Sequence, residues 1–126
     1  MAKQLEIKCF RGVFMRDQLP PHPVIPECGI VNLDDEGDNP VGNAGTHWVA
    51  YYIDSTKKIY FDSFGLEPPK EVEQYLKHYD SRPILMQTQQ LQATSDTICG
   101  QLCLFVLHHL SLGFEFRKTI KFISYK

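Results

Sequence analysis

Short runs of apolar and β-branched residues, separated by polar turns, make up the first half of the chain. Residues 29–33 (GIVNL) and 47–53 (HWVAYYI) have this composition, and each predicts a strand. The polar residues 54–57 (DSTK) separate the second strand from residues 58–62 (KIYFD), so these two strands predict a β-hairpin. Residues 84–86 (ILM) predict one more short strand.

Helical spacing first appears after the hairpin. Pro69 suits the first turn of a helix, where its missing N–H is not needed. The apolar positions that follow have the i, i+3, i+4, i+7 spacing of one helical face: Val72, Tyr75, Leu76 and Tyr79. This spacing predicts a helix over residues 68–81.

A second helix is predicted closer to the end of the chain. It begins at Thr97 or Cys99 and runs to about Leu112, where Gly113 ends it. Because it is apolar almost all round, we expect it to be the central buried helix. Residues 119–125 then predict a terminal strand.

Two segments predict loops. Residues 19–26 contain four prolines, which excludes a helix or a central strand, and residues 34–45 are acidic at first and then glycine-containing. The chain of 126 residues predicts one domain over residues 1–126, and 43% apolar residues suffice for a core without a metal or disulfide. The expected class is α+β, a small mixed or antiparallel sheet with helices against it and Cys99 on the central one.

Charge and hydropathy narrow the classes of partner. Lys plus Arg total 13 and Asp plus Glu total 15, and a net charge of −2 disfavours a strongly basic nucleic-acid-binding domain. The first residues lack the apolar segment of a secretory signal, and residues 98–112 are too short and too polar to span a bilayer. We therefore expect an intracellular protein, cytoplasmic or nuclear and not secreted, with reduced cysteines and no membrane span. No interface patch stands out, so a monomer is the default.

The pair Cys99–Gly100 opens the predicted buried helix. The first N–H groups of a helix lack intrahelical partners and carry partial positive charge, which stabilises a thiolate and can also bind an oxyanion. Gly100 leaves the space in front of the sulfur open. This arrangement is typical of a nucleophile. The same pattern is also explained if Cys99 and Cys103, one turn apart, are core residues.

Three further residues would complete a nucleophilic site. His47, at the head of a predicted strand, is a suitable base for a thiol. Asp62 follows 15 residues later, so the hairpin brings it back beside His47, where it can fix the imidazole tautomer. Gln92 precedes Cys99 by seven residues and can donate to an oxyanion, although residues 87–92 contain four glutamines. Each residue alone has a common structural explanation, and only the combination indicates catalysis.

Other sites are less well supported. Cys28–Gly29 is a second Cys-Gly pair, but strand-like residues follow it, so we interpret it as packing. The four cysteines form no C-x2-C knuckle, and the adjacent His108 and His109 cannot both point one way on a helix, which disfavours zinc. The acidic residues 34–38 lack the register of a calcium loop. We expect no metal and no other cofactor.

Four blocks resemble, in order, those of the adenovirus-type cysteine proteinases (adenain): CGIVN at residues 28–32, GTHW at 45–48, FDSFG at 61–65 and CGQLC at 99–103. The resemblance is greatest to the adenain-like proteases of Maverick/Polinton elements and related viruses. Residues 10–17 (FRGVFMRD) are also similar to their N-terminal segment, so the resemblance extends from about residue 10 to residue 110.

Matched by position, the resemblance implies a role for each candidate. The implied set is His47 as catalytic base, Asp62 as the residue that orients it (adenain itself has Glu there), Cys99 as nucleophile and Gln92 as the oxyanion-hole amide together with the Cys99 backbone. Trp48 and Gly100 are implied to lie against the substrate, with Trp48 shielding the His–Asp pair from water.

The implied fold is the adenain/ubiquitin-like-protease branch of the papain-like cysteine proteases. The implied activity is endopeptidase cleavage next to Gly in viral or mobile-element precursor proteins, in the cell or in a virion. A ubiquitin-like isopeptidase of the same clan and a non-catalytic binding module on this fold remain alternatives. Adenain is basic and has a longer part after its Cys, so we expect no strong DNA binding here. No residue indicates an activating peptide.

Overall fold

Five strands form one mixed sheet within residues 7–33, 47–88 and 99–124, the part of the chain that the computed structural model describes. In chain order the elements are β1 Phe10–Met15, β2 Glu27–Asn32, β3 Trp48–Ile53, β4 Lys58–Phe61, α1 Lys70–Leu76, β5 Leu85–Met86, α2 Cys99–Ser111 and α3 Phe116–Ser124. The strand order is β1-β2-β3-β4-β5. The two outer pairs are parallel and the two inner pairs antiparallel, so the expected α+β class with a mixed sheet is confirmed.

The predicted hairpin is present as β3 and β4. Ala50 pairs with Phe61 at its open end, and Ile53 pairs with Lys58 next to the turn. Asp54 holds the turn, because its Oδ1 accepts hydrogen bonds from the Lys57 N–H at 2.8 Å and from the Thr56 N–H. Burial alone would raise the pKa of Asp54, but these hydrogen bonds outweigh burial and hold that pKa below its usual range. The fixed register brings the residues just before β3 and just after β4 to the same end of the sheet.

Helices cover both faces of the sheet. One face packs against α2 and α3 through a core that includes Cys28, Ile30, Ala50, Ile59, Phe61, Cys103, Leu107 and Ile120. The opposite face packs against α1 through Val31, Val49, Tyr51, Tyr60, Val72 and Leu76. Neighbouring strand residues therefore alternate between two cores, as the period of two along a strand requires.

A buried carboxylate links four of these elements. Glu27 on β2 is 1% exposed, and its Oε1 accepts a hydrogen bond from Arg11 Nη1 of β1 at 2.8 Å. Its Oε2 accepts from the hydroxyls of Tyr51 on β3 and Tyr75 on α1. Burial raises the pKa of Glu27, but the hydrogen bonds from Tyr51, Tyr75, the Val24 N–H and Arg11 outweigh it and lower that pKa overall.

The predicted terminal strand over residues 119–125 is wrong, because residues up to Ser124 form helix α3. Phe116, Ile120 and Ile123 are buried at i, i+4 and i+7, whereas Arg117 and Lys121 are exposed. This spacing is that of an amphipathic helix and is visible only when the window begins at Phe116. The alternation within residues 119–123 alone imitates a strand.

Two more elements differ from the predictions. Strand β1 was not predicted, although its residues pair in parallel with β2. Helix α1 is shorter than the predicted 68–81, since it ends at Leu76. Val72, Tyr75 and Leu76 are buried as expected, but Tyr79 is 56% exposed and its hydroxyl donates to the Pro23 carbonyl at 2.9 Å. Tyr79 therefore does not belong to the buried face of the helix, and its hydroxyl instead bonds to the proline-rich loop.

The predicted proline-rich loop and the predicted start of the buried helix agree with the structure. The proline-rich residues 19–26 contain no helix or strand, as expected, and α2 begins at Cys99 and is followed by Gly113 at a φ of 92°. The acidic loop over residues 34–45 lies outside the described residues. Within the described ranges, none of the helices has both the length and the apolarity that crossing a bilayer requires. The same ranges contain no cluster of three metal-ligating side chains.

Candidate active site

A buried histidine–aspartate pair lies at the open end of the hairpin. His47 precedes β3, Asp62 follows β4, and they are 9% and 1% exposed. His47 Nε2 lies 2.6 Å from Asp62 Oδ1, and the same oxygen accepts a hydrogen bond from the Phe64 N–H at 2.8 Å. Since an ionised carboxylate only accepts hydrogen bonds, Nε2 carries the proton of the neutral imidazole. The other ring nitrogen is then the basic one.

That basic nitrogen, His47 Nδ1, is buried and has no hydrogen-bond partner among the described residues. A buried polar atom without a partner is costly, and the described residues include others, among them the Tyr60 hydroxyl and His108 Nδ1, so the pairing with Asp62 is what distinguishes His47. Here the imidazole is held through Nε2 and leaves Nδ1 to exchange a proton with a group that the described side chains do not supply. This is the state expected of a general base.

Phe64 packs flat on the imidazole. The ring centroids of His47 and Phe64 are 4.0 Å apart, and the planes differ by 4°. The turn that presents Phe64 is closed by the Gly65 N–H, which donates to the Asp62 carbonyl at 2.8 Å, with Gly65 at a φ of 78° that favours glycine. Phe64 is not among the predicted site residues. An aromatic residue after a strand is common, and only the closed turn shows that Phe64 meets His47.

The start of helix α2 lies against the residue that follows His47. A Cβ placed on Gly100 would be 3.8 Å from Trp48 Cδ1. One turn later, Cys103 Sγ donates to the Trp48 carbonyl at 3.4 Å, and Cys103 is fully buried. The start of α2, which begins at Cys99, is therefore packed against Trp48, the residue next to His47. For Cys99, the structure describes the backbone only.

Of the predicted oxyanion-donor candidates, Gln87 lies within the described residues and Gln92 does not. Gln92, the predicted oxyanion donor, lies outside the described residues. Gln87, one residue after β5, donates its amide to the Asp62 carbonyl. Its amide therefore helps to hold the loop that carries the acid. Gln87 is the candidate glutamine that lies within the described residues, and the role of Gln92 stays a prediction.

Two crystal structures of the pS273R protease of ASFV resemble this fold. One has a TM-score of 0.51 at 21% identity over 79% of this chain. The other, a selenomethionine form, has a TM-score of 0.53 at 23% identity over 83%. The fold is of the ubiquitin-like-protease type. This chain covers only 38% and 43% of those two chains.

No protein-family model matches the sequence, and no curated protein gives a significant match. The structural likeness, at this level of identity, identifies the fold alone. The resemblance to adenain and to the Maverick/Polinton proteases remains an interpretation of the four sequence blocks.

Proposed function

We propose that this protein is a cysteine endopeptidase in which His47 is the base and Cys99 the nucleophile. The observation that supports this most strongly is the buried His47–Asp62 pair, whose free nitrogen lies at the strand end against which helix α2 begins. The fold is shared with a viral protease, which adds independent support. A thiol at the start of α2 would give Nδ1 the partner that the described residues do not.

The proposed reaction has two halves. His47 Nδ1 takes the thiol proton of Cys99, and the thiolate attacks the carbonyl carbon of the scissile peptide bond. The oxyanion is held by the Cys99 N–H at the helix start and by the amide of Gln92. His47 then protonates the leaving amine as the C–N bond breaks. Water, deprotonated by His47, hydrolyses the thioester, which releases the acid and restores the thiol.

The surrounding residues have supporting roles in this proposal. Asp62 keeps the proton on Nε2 and stabilises the imidazolium that forms in each half-reaction. Phe64 covers one face of the imidazole and keeps water from it. Trp48 is proposed to lie between this pair and the substrate.

The sequence resemblance to the adenain-like proteases supports a small residue next to the scissile bond. An added Cβ at Gly100 would lie 3.8 Å from the indole of Trp48, an ordinary contact distance, so the gap there holds about one methyl group. We propose Gly at this position of the substrate, which is a protein or peptide, such as a precursor encoded by a virus or mobile element. The setting would be the cell interior or a virion.

The proposal is tested with two reagents on the purified chain. One is a fluorogenic Leu-x-Gly-Gly peptide, and the other is a ubiquitin derivative with a C-terminal electrophile. Peptide cleavage that is lost in Cys99→Ala and kept in Cys28→Ala, without labelling by the ubiquitin derivative, is the expected result. Activity in Cys99→Ala with loss in Cys28→Ala would overturn the assignment.

The remaining outcomes distinguish the alternatives. Labelling by the ubiquitin derivative that depends on Cys99 would indicate a ubiquitin-like isopeptidase. No reaction with either reagent, together with alkylation of Cys99 no faster than that of the buried Cys103, would indicate a binding module.

A further inference from the structure

Two cysteines outside the proposed active site lie side by side. Cys9 Sγ and Cys28 Sγ are 3.6 Å apart. Cys28 lies within β2 and is fully buried, whereas Cys9 directly precedes β1 and is partly exposed. The two backbones are joined as well, because the Cys28 N–H donates to the Cys9 carbonyl at 2.9 Å.

The positions of the two residues suit a disulfide. Cys28 pairs with Phe10, the residue after Cys9, and the backbones of Cys9 and Cys28 share a hydrogen bond, which keeps them near the Cα separations of about 4.4–6.8 Å that a disulfide spans. The sulfurs need only approach from 3.6 Å to about 2.05 Å, which side-chain rotation can achieve. The third described cysteine, Cys103, is separate, since its thiol donates to the Trp48 carbonyl.

We propose that Cys9 and Cys28 are a redox modification site, a dithiol that hydrogen peroxide converts to a disulfide. Cys9 is the first to react, because Cys9 is partly exposed and Cys28 is buried. The hydrogen bond from Cys28 lowers the pKa of Cys9 against the opposing effect of burial, which favours the same order.

The reaction balances in two steps. The Cys9 thiolate attacks one oxygen of the peroxide, the O–O bond breaks, and Cys9 becomes a sulfenic acid with release of hydroxide. Cys28 sulfur then attacks the Cys9 sulfur, the S–O bond breaks, and water leaves as the S–S bond forms. In total, two thiols are oxidised and one peroxide is reduced to two waters. A small-molecule dithiol reverses the change.

The link joins the residue that precedes β1 to strand β2, away from the His–Asp pair. Cys28 is opposite Tyr52, whereas Asn32 at the other end of β2 is opposite Trp48, about 13 Å further along the strand at 3.3 Å per residue. Closing the chain between residues 9 and 28 restricts the unfolded state, so oxidation is expected to raise the Tm by roughly 10 °C.

The test uses the full chain carrying Cys99→Ala, so that neither the proposed nucleophile nor proteolysis contributes. The reduced protein is treated with one equivalent of hydrogen peroxide, alkylated and digested with trypsin without reductant. Trypsin separates the two cysteines, because Arg11 and Arg16 lie between them. We expect a linked peptide pair containing Cys9 and Cys28, an intact mass lower by about two hydrogens, alkylated Cys103, and full reversal by a dithiol.

Two control variants keep the result interpretable. Cys9→Ser, at the partly exposed position, is expected to fold and to show neither the linked peptides nor the rise in Tm. Cys103→Ser is expected to form the link as the parent does. Full alkylation of both cysteines after peroxide, or accumulation of sulfinic acid on Cys9 without a link, would overturn the proposal. Because the background lacks Cys99, the outcome is independent of whether the chain is a protease.

Discussion

The imidazole of His47 is held by two residues that lie within one turn of each other. Asp62 binds its Nε2 edge and Phe64 covers one ring face. The Phe64 N–H also donates to the Asp62 oxygen that contacts the imidazole. The same short segment therefore sets both the tautomer and the plane of the imidazole, and the two effects can be separated by mutation.

Replacing the acid is expected to cost less activity than removing the base. In Asp62→Asn, His47 Nε2 and the Phe64 N–H still donate to the Oδ1 position. The amide is therefore oriented with its oxygen toward Nε2, and the tautomer of His47 is kept. We expect a loss of kcat that is smaller than in His47→Ala, with KM nearly unchanged. His47→Ala should lower kcat at least about a thousandfold. Steady-state kinetics on the fluorogenic peptide measure both, and equal losses would mean that the negative charge, not orientation, is required.

Removing the stacked ring is expected to weaken catalysis moderately. An aromatic pair contributes about 0.5–1.5 kcal/mol beyond burial, which corresponds to roughly a 2–10-fold loss of kcat in Phe64→Ala. Phe64→Tyr retains the ring and is the matched control, with activity close to the parent. If Phe64→Ala were as active as Phe64→Tyr, the stack would have no part in positioning His47.

Sequence reasoning could pair His47 with Asp62 because both belong to one hairpin with a recognisable turn. It could not choose Phe64, since an aromatic residue after a strand is common and only the closed turn shows which ring it meets. Cys9 is a similar case. Cys9 meets Cys28 because β1 pairs with β2. That pairing could not be predicted, since β1 has no clear alternation of buried and exposed residues at its end.

In the first turn of α2, a substitution at Gly100 is expected to affect stability and activity in opposite directions. The space beside Gly100 admits a methyl group at ordinary contact distance from Trp48. Gly100→Ala should therefore keep or raise the free energy of unfolding, by up to about 1 kcal/mol, because alanine favours a helix. The same methyl group occupies the proposed path of the substrate glycine, so kcat/KM should fall about 10–200-fold.

Urea unfolding and peptide kinetics on Gly100→Ala provide the two measurements. Gln101→Ala, at an exposed position of the same turn, is the matched control and should change neither strongly. Parent-like kcat/KM in Gly100→Ala would mean that the substrate passes elsewhere.

Helix α3 is a segment whose secondary structure could not be predicted from its sequence alone. Thr119, Ile120 and Ile123 fit a strand over a short window and a helix over a longer one. The Thr119 hydroxyl donates to the Glu115 carbonyl one turn earlier, a bond that exists only in the helix. Tertiary packing of Phe116 and Ile120 on the sheet core decides between the two structures. The hairpin was predictable because its residues contact one another locally.

Glu27 connects β1, β2, β3 and α1 through Arg11, Tyr51 and Tyr75. Its pKa is lower in the folded protein than in the unfolded chain, where it is about 4.3. The stability that it contributes is therefore fully present above about pH 4.3 and is lost as the pH falls through the folded-state pKa.

Glu27→Gln should lower the free energy of unfolding by about 2–4 kcal/mol at pH 7. The difference from the parent should shrink as the pH approaches 3, because the parent carboxylate is then protonated. Urea titrations at pH 7, 5 and 3 measure this. Glu73→Gln, on the exposed side of α1, is the control and should cost less than about 0.5 kcal/mol at every pH. A difference that is constant with pH would mean that Glu27 folds in its neutral form.

The division of the proposed site between a local hairpin and a later helix affects the protein while it is being made. The base and its acid belong to one hairpin that forms from contacts near in sequence, which is the fast kind of folding event. The proposed nucleophile, Cys99, is synthesised later and reaches the site only when α2 packs across β2 and β3. Under the proposed mechanism, a chain interrupted during synthesis therefore holds an acid and a base without the thiol that they would activate. Proteolytic activity would then require the completely folded chain.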